Sequence, residues 1–111
     1  MARFVKGDVV VVPFPFSDLT LTKRRPALVL AALEGDDCIL CQITSQQLRD
    51  RYSIELDAPD FASGDLKRRS SVRPNRLFTA DTHVILYQVG HLAPSKVDEI
   101  TEKVVEILHR G

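Results

Sequence analysis

The sequence lacks the features that mark secreted, membrane-spanning or strongly charged proteins. It has no tryptophan and only two cysteines, and its 15 Lys and Arg residues balance 15 Asp and Glu residues. Because the net charge is zero, a polyanionic partner would need a local basic patch rather than the field of the whole protein. No apolar run approaches the ~18 residues of a membrane-spanning helix, and the first residues lack the cleavage site of a signal peptide. We therefore expect a cytoplasmic protein without membrane contacts.

The two cysteines form a CxxC motif, a spacing typical of metal or redox sites, but the motif lies in an apolar run. Cys38 and Cys41 belong to the segment DCILCQIT, which predicts a strand. Residues three apart on a strand point to opposite faces, and no second cysteine pair completes a zinc site. We expect two reduced thiols, at least one of them buried, and neither a metal nor a cofactor.

Composition and pattern predict one mainly β domain that spans residues 1–111. The chain is 44% hydrophobic, which is enough to fill one core in a domain of this length. Short apolar runs between turn residues predict strands in GDVVVVPFPF, PALVLAAL, CILCQIT, SIELD, SSVRPNRLFT and HVILYQVG. From Ser95 onward, apolar residues recur at helical spacing. The predicted fold is α+β: a small, strongly bent sheet or barrel with one C-terminal helix.

Prolines and turn residues predict where several elements begin and end. Pro13 and Pro15 are expected to end the first strand. Pro26 is expected to open the second strand, after a loop that contains the basic run, because its missing N–H costs least there. The turn at residues 34–37 predicts a hairpin between the second and third strands, and Ser95 is expected to cap the helix.

The basic run Lys23–Arg25 precedes an apolar strand and is the first candidate for an anion site. In an antiparallel hairpin, the start of the second strand lies beside the end of the third, which places Arg25 near Thr44. The guanidinium fork fits phosphate oxygens, and the threonine hydroxyl adds a donor. The pair is either a phosphate site or a surface arginine beside a surface threonine.

Four segments, taken in order, resemble the PemK/MazF family of toxins from bacterial toxin–antitoxin pairs. They are GDVVVVPFPF, RRPALVL, QITSQ and FTAD, the last followed by an apolar strand and the terminal helix. The resemblance covers nearly the whole chain. Its most specific parts are the Gly-Asp start, the Arg-Pro before the second strand and the Thr-Ser-Gln after the third. It implies an SH3-like β-barrel with a C-terminal helix, assembled as a homodimer.

The resemblance also implies a toxin that cleaves single-stranded RNA at short sequences without a metal ion or the ribosome. The catalytic arginine and threonine of the family map to Arg25 and Thr44. In such a reaction the 2′-OH of the RNA attacks the neighbouring phosphorus, which leaves a 2′,3′-cyclic phosphate and a 5′-OH. The implied protein partner is a cognate antitoxin whose disordered segment folds along the RNA groove. Operator DNA would be bound only through the toxin–antitoxin complex.

Further basic residues are candidates for contacts with the RNA backbone. Lys23 and Arg24 either contact flanking phosphates or are solvated charges that add to the local field. A second basic region either lines an RNA groove across a dimer or forms an ordinary charged surface. It comprises Lys67, Arg68, Arg69, Arg73 and Arg76.

Aromatic and polar side chains near the candidate site could contact the bases. Phe14 and Phe16 either stack on unpaired bases or close the barrel, and packing is preferred for Phe14. Gln42, Ser45 and Gln46 either read base edges or are simply polar residues at a strand end.

Two alternatives with the same fold are not enzymes. A gyrase poison would not need the pair Arg25 and Thr44, and the relevant family relies on a C-terminal tail that contains tryptophan. This chain has no tryptophan and ends His109-Arg110-Gly111. A catalytically inactive member would only bind RNA or a protein partner, because activity depends on distances of about an ångström at the site. An active nuclease is expected to stop growth when expressed alone, and a binding module is not.

Overall fold

Strands make up most of the regular structure. The computed structural model describes residues 4–15, 22–47 and 49–111. In this described part the strands are β1 (Asp8–Pro15), β2 (Thr22–Ala32), β3 (Asp37–Thr44), β4 (Ile54–Leu56), β5 (Phe61–Gly64), β6 (Ser70–Asp81) and β7 (Tyr87–Leu92). Short 3₁₀ turns precede β5 and β7, at Ala58–Asp60 and Thr82–Val84, and the helix α1 spans Pro94–Arg110. Within these described ranges, no helix combines the length and apolar character needed to cross a membrane.

The strands form a single antiparallel sheet in the order β4-β6-β3-β2-β1-β7-β5. The sheet curls into a half-barrel with one C-terminal helix, which confirms the predicted SH3-like, mainly β fold. The predicted hairpin is also confirmed, since β2 pairs with β3 and Leu28 lies opposite Cys41. In its turn, Gly35 has a φ of 75°, a left-handed conformation that favours glycine.

Successive side chains of the central strands are buried on opposite faces of the sheet, so the protein has two apolar clusters. The first cluster lies beneath α1 and consists of Val9, Leu28, Cys41, Ile43, Ile54, Leu56, Val72, Leu92, Val97 and Ile100. The second cluster consists of Val10, Val12, Ala27, Val29, Cys38, Leu40 and Ile85. Cys38 and Cys41 thus face opposite sides of β3 as predicted, and both are free and buried.

The prediction that Pro13 and Pro15 end the first strand is wrong for Pro13 and agrees with the structure for Pro15. Pro13 lies within β1, and Pro15 is its last residue. β1 pairs with β7 only as far as Val11. Beyond Val11 that side of β1 has no neighbouring strand in the described chain, so a residue without an N–H removes no ladder hydrogen bond.

The basic run lies on a strand and not in the predicted loop. β2 begins at Thr22, and residues 23–25 pair with β1. Pairing of β2 with β3 begins at Ala27. Pro26 therefore lies inside β2, at a position where one side of the strand is open and a missing N–H costs little. The basic side chains project from a paired strand.

Two further elements differ from the predictions. α1 begins at Pro94, and no side chain caps it, so Ser95 is not the cap. Proline suits the first helical position because its φ is already helical. The strand β5 was not predicted, since its sequence FASG has no alternating pattern. Gly64 is required at its end, because φ is 68° and a Cβ would lie 2.1 Å from the carbonyl oxygen of Val89 in β7.

Candidate functional site

The β2–β3 ladder brings the predicted phosphate-binding pair together at one end of the hairpin. Ala27 and Gln42 are the last pair of this ladder. Arg25 lies two residues beyond Ala27, and Thr44 lies two residues beyond Gln42, so both flank the point where the pairing ends. A long guanidinium side chain and a hydroxyl therefore project from the same end of the hairpin.

Strand alternation puts both side chains on the same face of the sheet. Arg25 pairs with Val12 of β1, which belongs to the second cluster. Thr44 lies an even number of residues from Leu40, which belongs to the same cluster. Arg25 and Thr44 thus form a polar margin at the edge of the second cluster. An anion bound to them would contact the protein on the side that faces this cluster.

Thr44 is buried, with 4% of its surface exposed, and its hydroxyl is held in place. Its Oγ1 accepts a hydrogen bond of 3.1 Å from the backbone N–H of Gln46. A hydroxyl that accepts such a bond keeps its own proton for donation. The turn after β3 therefore orients Thr44 and leaves its O–H able to donate to an oxyanion.

Arg73 of β6 adds a second guanidinium to this face, since it pairs with Gln42 across the β3–β6 ladder. Its side chain is 18% exposed, and its Nη2 lies 3.7 Å from Oδ2 of Asp50. Its Nε is buried and has no hydrogen-bond partner among the residues that the structure describes. Buried charged donors are normally hydrogen-bonded, so Arg73 has capacity to bind an anion.

Asp50 is itself fixed by the loop that leads to β4. Its Oδ1 accepts hydrogen bonds from the backbone N–H groups of Ser53 at 2.8 Å and Tyr52 at 3.0 Å. The bond from Ser53 lowers the pKa of Asp50 most, and the charge of Arg73 contributes least. The loop's own hydrogen bonds therefore stabilise the ionised form of Asp50, which forms the ion pair with Arg73.

The other predicted RNA contacts surround this margin, so far as the structure describes them. Lys23 and Arg24 are exposed on β2, Gln42 is half-buried on β3, and Ser45 and Gln46 are exposed after its end. Phe16 lies outside the described residues. The structure thus places these side chains around one end of the β2–β3 hairpin.

Phe14 is half-buried and packs against other side chains. Its ring meets the ring of Phe78 edge to face, with centroids 4.9 Å apart. Both rings also pack against the second cluster. This geometry is typical of aromatic pairs in protein cores, and it supports the barrel-closing role.

The cations of the second basic region have different contacts. Nη2 of Arg69 lies 3.2 Å from Oε2 of Glu55 in β4. Arg73 lies on the face described above. Lys67 and Arg68 line a cavity beside the start of β2, and Arg68 and Arg69 line a second cavity. The region therefore borders more than one cavity.

A buried carboxylate that was not predicted from the sequence links β1 to β7. Asp8 is 4% exposed. Its Oδ1 accepts a hydrogen bond from Nε2 of Gln88 at 3.0 Å and lies 2.7 Å from Nδ1 of His91. Its Oδ2 accepts from the backbone N–H of Val5 at 2.9 Å. Gly7 belongs to the same arrangement, because a Cβ there would lie 2.9 Å from Cε1 of His91. The Gly-Asp pair was the available signal.

Three exposed side chains at the other end of β3 lie close enough together to hold a metal ion. Asp36, Asp81 and His83 offer ligand atoms within 4.8 Å of one another. Nδ1 of His83 lies 2.6 Å from Oδ1 of Asp81, and the backbone N–H of His83 is the main reason that the pKa of Asp81 is lowered. Thr44 lies at the opposite end of the strand, roughly 24 Å away at the usual rise per residue, so this group has no part in the phosphate site.

Solved structures share this architecture. A chain of the MazE–MazF complex from Deinococcus radiodurans superposes with a TM-score of 0.76 at 19% identity over 100% of both chains. The Mycobacterium tuberculosis toxin MazF-mt6 has a TM-score of 0.70 at 18% identity, over 92% of this chain and 96% of that one. A mycobacterial endoribonuclease in complex with its cognate antitoxin has a TM-score of 0.67 at 12% identity, over 96% of both chains. At these identities the similarity establishes the fold.

The family follows from the sequence profile. The profile of the PemK-like, MazF-like toxins of type II toxin–antitoxin systems matches residues 5–108, and the chain belongs to this family. Comparison with curated proteins gives no significant match. The resemblance noted in the short motifs is thus confirmed over most of the chain.

Proposed function

We propose that this toxin is a sequence-specific endoribonuclease that cleaves single-stranded RNA without a metal ion or the ribosome. The observation that supports the proposal is the register of β2 and β3, which brings Arg25 and Thr44 to the same end of the hairpin. Arg73 reaches the same face from the next strand. Two guanidinium groups and an oriented hydroxyl suit the tetrahedral oxygens of a phosphate.

The proposed reaction uses the RNA's own nucleophile. The 2′ oxygen attacks the adjacent phosphorus and loses its proton, while the bond from phosphorus to the 5′ oxygen breaks and that oxygen gains a proton. The products are a 2′,3′-cyclic phosphate and a 5′-OH. The protein must hold the attacking and leaving oxygens in line and stabilise the charge that grows on the phosphoryl oxygens.

Each residue of the site has a separate role. A guanidinium remains charged across the physiological range, so Arg25 stabilises the developing negative charge. The hydroxyl of Thr44 donates a hydrogen bond to a phosphoryl oxygen. The hydrogen bond that Oγ1 of Thr44 accepts from Gln46 keeps the hydroxyl in a fixed position. Arg73 stabilises the same charge from the other side of β3. Preorganised donors of this kind cost no reorganisation during the reaction.

The proposed assembly is a homodimer in which residues 1–111 of each chain act as one toxin domain in the cytoplasm. RNA would run along a groove that includes the side chains at the end of the hairpin, namely Lys23, Arg24, Gln42, Ser45 and Gln46, with Phe16 available for stacking. An antitoxin would occupy the same groove. Relatives solved as a MazE–MazF complex and as an endoribonuclease with its cognate antitoxin support this partner. Operator DNA would be bound through the toxin–antitoxin complex.

The test is cleavage of a mixed single-stranded RNA in EDTA, with the chemistry of the product ends determined. We expect cuts at a short recurring sequence that leave 2′,3′-cyclic phosphate and 5′-OH ends. Arg25→Ala should lower kcat by at least about 10²-fold, the usual effect of removing one preorganised donor. Arg110→Ala, at the exposed end of α1, is the matched control and should cleave like the wild type.

Two results would overturn the proposal. The first is the absence of cleavage by a folded wild-type dimer, which would leave a binding toxin as the function. The second is cleavage that Arg25→Ala leaves unchanged, which would place the active site elsewhere. Circular dichroism of each variant shows whether lost activity reflects a lost fold.

A further inference from the structure

A cationic cavity adjoins the proposed active site. It measures about 320 Å³ and lies between the start of β2, the end of β3 and the loop between β5 and β6. Its cationic lining residues are Arg24, Arg25, Lys67 and Arg68, and its apolar ones are Pro26, Ile43 and Leu66. In the described part of the chain, no carboxylate lines this cavity. Cations gathered around a concave site create a positive potential that attracts anions.

The loop that presents two of these cations is anchored at both ends. Leu66 packs against the first cluster beneath α1. The hydroxyl of Ser70 donates a hydrogen bond of 2.9 Å to the carbonyl oxygen of Arg68, and Ser70 is 6% exposed. The backbone is therefore fixed on both sides of Lys67, whereas the side chains of Lys67 and Arg68 are exposed. The fold thus holds the rim of the cavity in place and leaves its cationic groups accessible to a ligand.

The cavity and the proposed active site lie at the same end of the β2–β3 hairpin but on opposite faces of the sheet. Side chains alternate along β2, so Arg24 points to the face opposite that of Arg25. An RNA strand that crosses the end of the β2–β3 hairpin would pass from the scissile-phosphate site on one face to this cavity on the other. The volume is at the small end of the range for ligand pockets, about 300–1,000 Å³, which suits one nucleotide.

We infer that this cavity binds the nucleotide next to the cleavage site, with its phosphate on Arg24, Lys67 and Arg68 and its base or sugar against Leu66 and Pro26. The inference rests on the proposed function. These cations bind substrate and do not touch the reacting atoms, so they set KM and leave kcat nearly unchanged. The scissile phosphate itself remains with Arg25 and Thr44.

The first measurement is steady-state cleavage of a short RNA that contains one mapped site. Lys67→Gln and Arg68→Gln should each raise KM by about tenfold, the effect of losing one charged hydrogen bond, with kcat within a factor of two. The slope of log affinity against log salt should fall by about 0.7 for each lost phosphate contact on a single strand. Arg69→Gln is the matched control, because it removes the same charge from the same run but its side chain pairs with Glu55.

The second measurement locates the contact. Each phosphate of the RNA is replaced in turn by an uncharged methylphosphonate, and binding is measured by fluorescence anisotropy with wild type and with the Lys67→Gln, Arg68→Gln double variant. The double variant should bind more weakly than the wild type to every RNA except one. That RNA carries the methylphosphonate at the phosphate next to the scissile one. An equal penalty at every position, or an equal penalty from Arg69→Gln, would overturn the inference in favour of a general electrostatic field.

Failure of the proposed function gives a different result. If the wild type cleaves no RNA, the endoribonuclease proposal falls, but the anisotropy scan needs only binding. A loss of affinity in the double variant that vanishes at one phosphate only would then still support a nucleotide-binding cavity. RNA binding that neither variant alters, or no RNA binding by the folded wild type, would overturn it.

Discussion

Asp8 and His91 are paired across the β1–β7 ladder, with Oδ1 of Asp8 2.7 Å from Nδ1 of His91. The two residues are also register partners, and the ladder shifts by one position immediately after Val9. Gln88, beyond that irregularity, donates to the same oxygen. A buried carboxylate with several partners therefore links β1 to β7 on both sides of this register shift, and β2, which carries Arg25, pairs with β1.

Removing this carboxylate should destabilise the fold. Asp8→Ala removes the acceptor of the N–H of Val5 and of the side chains of Gln88 and His91. Val5 and Gln88 are exposed and His91 is half-buried, so water replaces part of each lost bond. We expect a total loss of about 1–3 kcal/mol in urea unfolding. Glu102→Ala, on the exposed side of α1, is the control and should change stability by less than about 0.5 kcal/mol. A loss from Asp8→Ala as small as that of the control would contradict the role of the network.

Two variants of Thr44 should show whether RNA cleavage depends on its hydroxyl or only on its side-chain volume. Thr44→Ser keeps a hydroxyl that accepts from Gln46 and donates to substrate, and its RNA cleavage should stay within about tenfold of the wild type. Thr44→Val keeps the volume and removes the hydroxyl, so kcat should fall by about 10²–10³-fold. It also leaves the N–H of Gln46 unpaired, which should cost roughly 1 kcal/mol of stability. Single-turnover cleavage rates decide the matter: equal rates for Val and Ser would exclude a catalytic hydroxyl.

The sequence was sufficient to predict the central hairpin and its consequences. The turn at Gly35 and the alternation of β3 together place Cys38 and Cys41 on opposite faces and bring Arg25 and Thr44 to the same end. Both predictions use the alternation of apolar and polar residues along a strand. Burial of one set of side chains on each face then fixes the register between the strands.

Other features depend on pairing between distant segments, which a single sequence does not encode locally. β5 forms because Gly64 allows close approach to β7, and prolines are tolerated in β1 and β2 because the neighbouring strands end early. The link from Arg73 to Asp50 likewise depends on how the loop before β4 returns to β6. Tertiary context decides such details.

Asp50 should make stability depend on pH in the acid range. Its pKa is lowered in the fold from the ordinary value of 3.8, first by the backbone N–H of Ser53. A carboxyl group with a lowered folded pKa adds stability that is present above its unfolded pKa and is lost as the pH falls through its folded pKa. The advantage of the wild type over Asp50→Asn should therefore be constant near neutral pH and disappear below about pH 4. Urea unfolding of both proteins over this range tests the sign, and an advantage that grows toward low pH would contradict it.

The two thiols should be inert in the folded protein. Burial raises the pKa of Cys41 to about 12. The pKa of Cys38 is also raised, first by burial and then by the charge of Asp37. The thiolate is the reactive species, so a raised pKa lowers the reactive fraction of each thiol at pH 8. We expect Ellman's reagent to modify neither cysteine quickly in the native state and both in guanidinium chloride. The rate for the native protein should follow the unfolding equilibrium, so Asp8→Ala should speed it in proportion to its lost stability. Rapid labelling of the stable wild type would contradict the burial of both side chains.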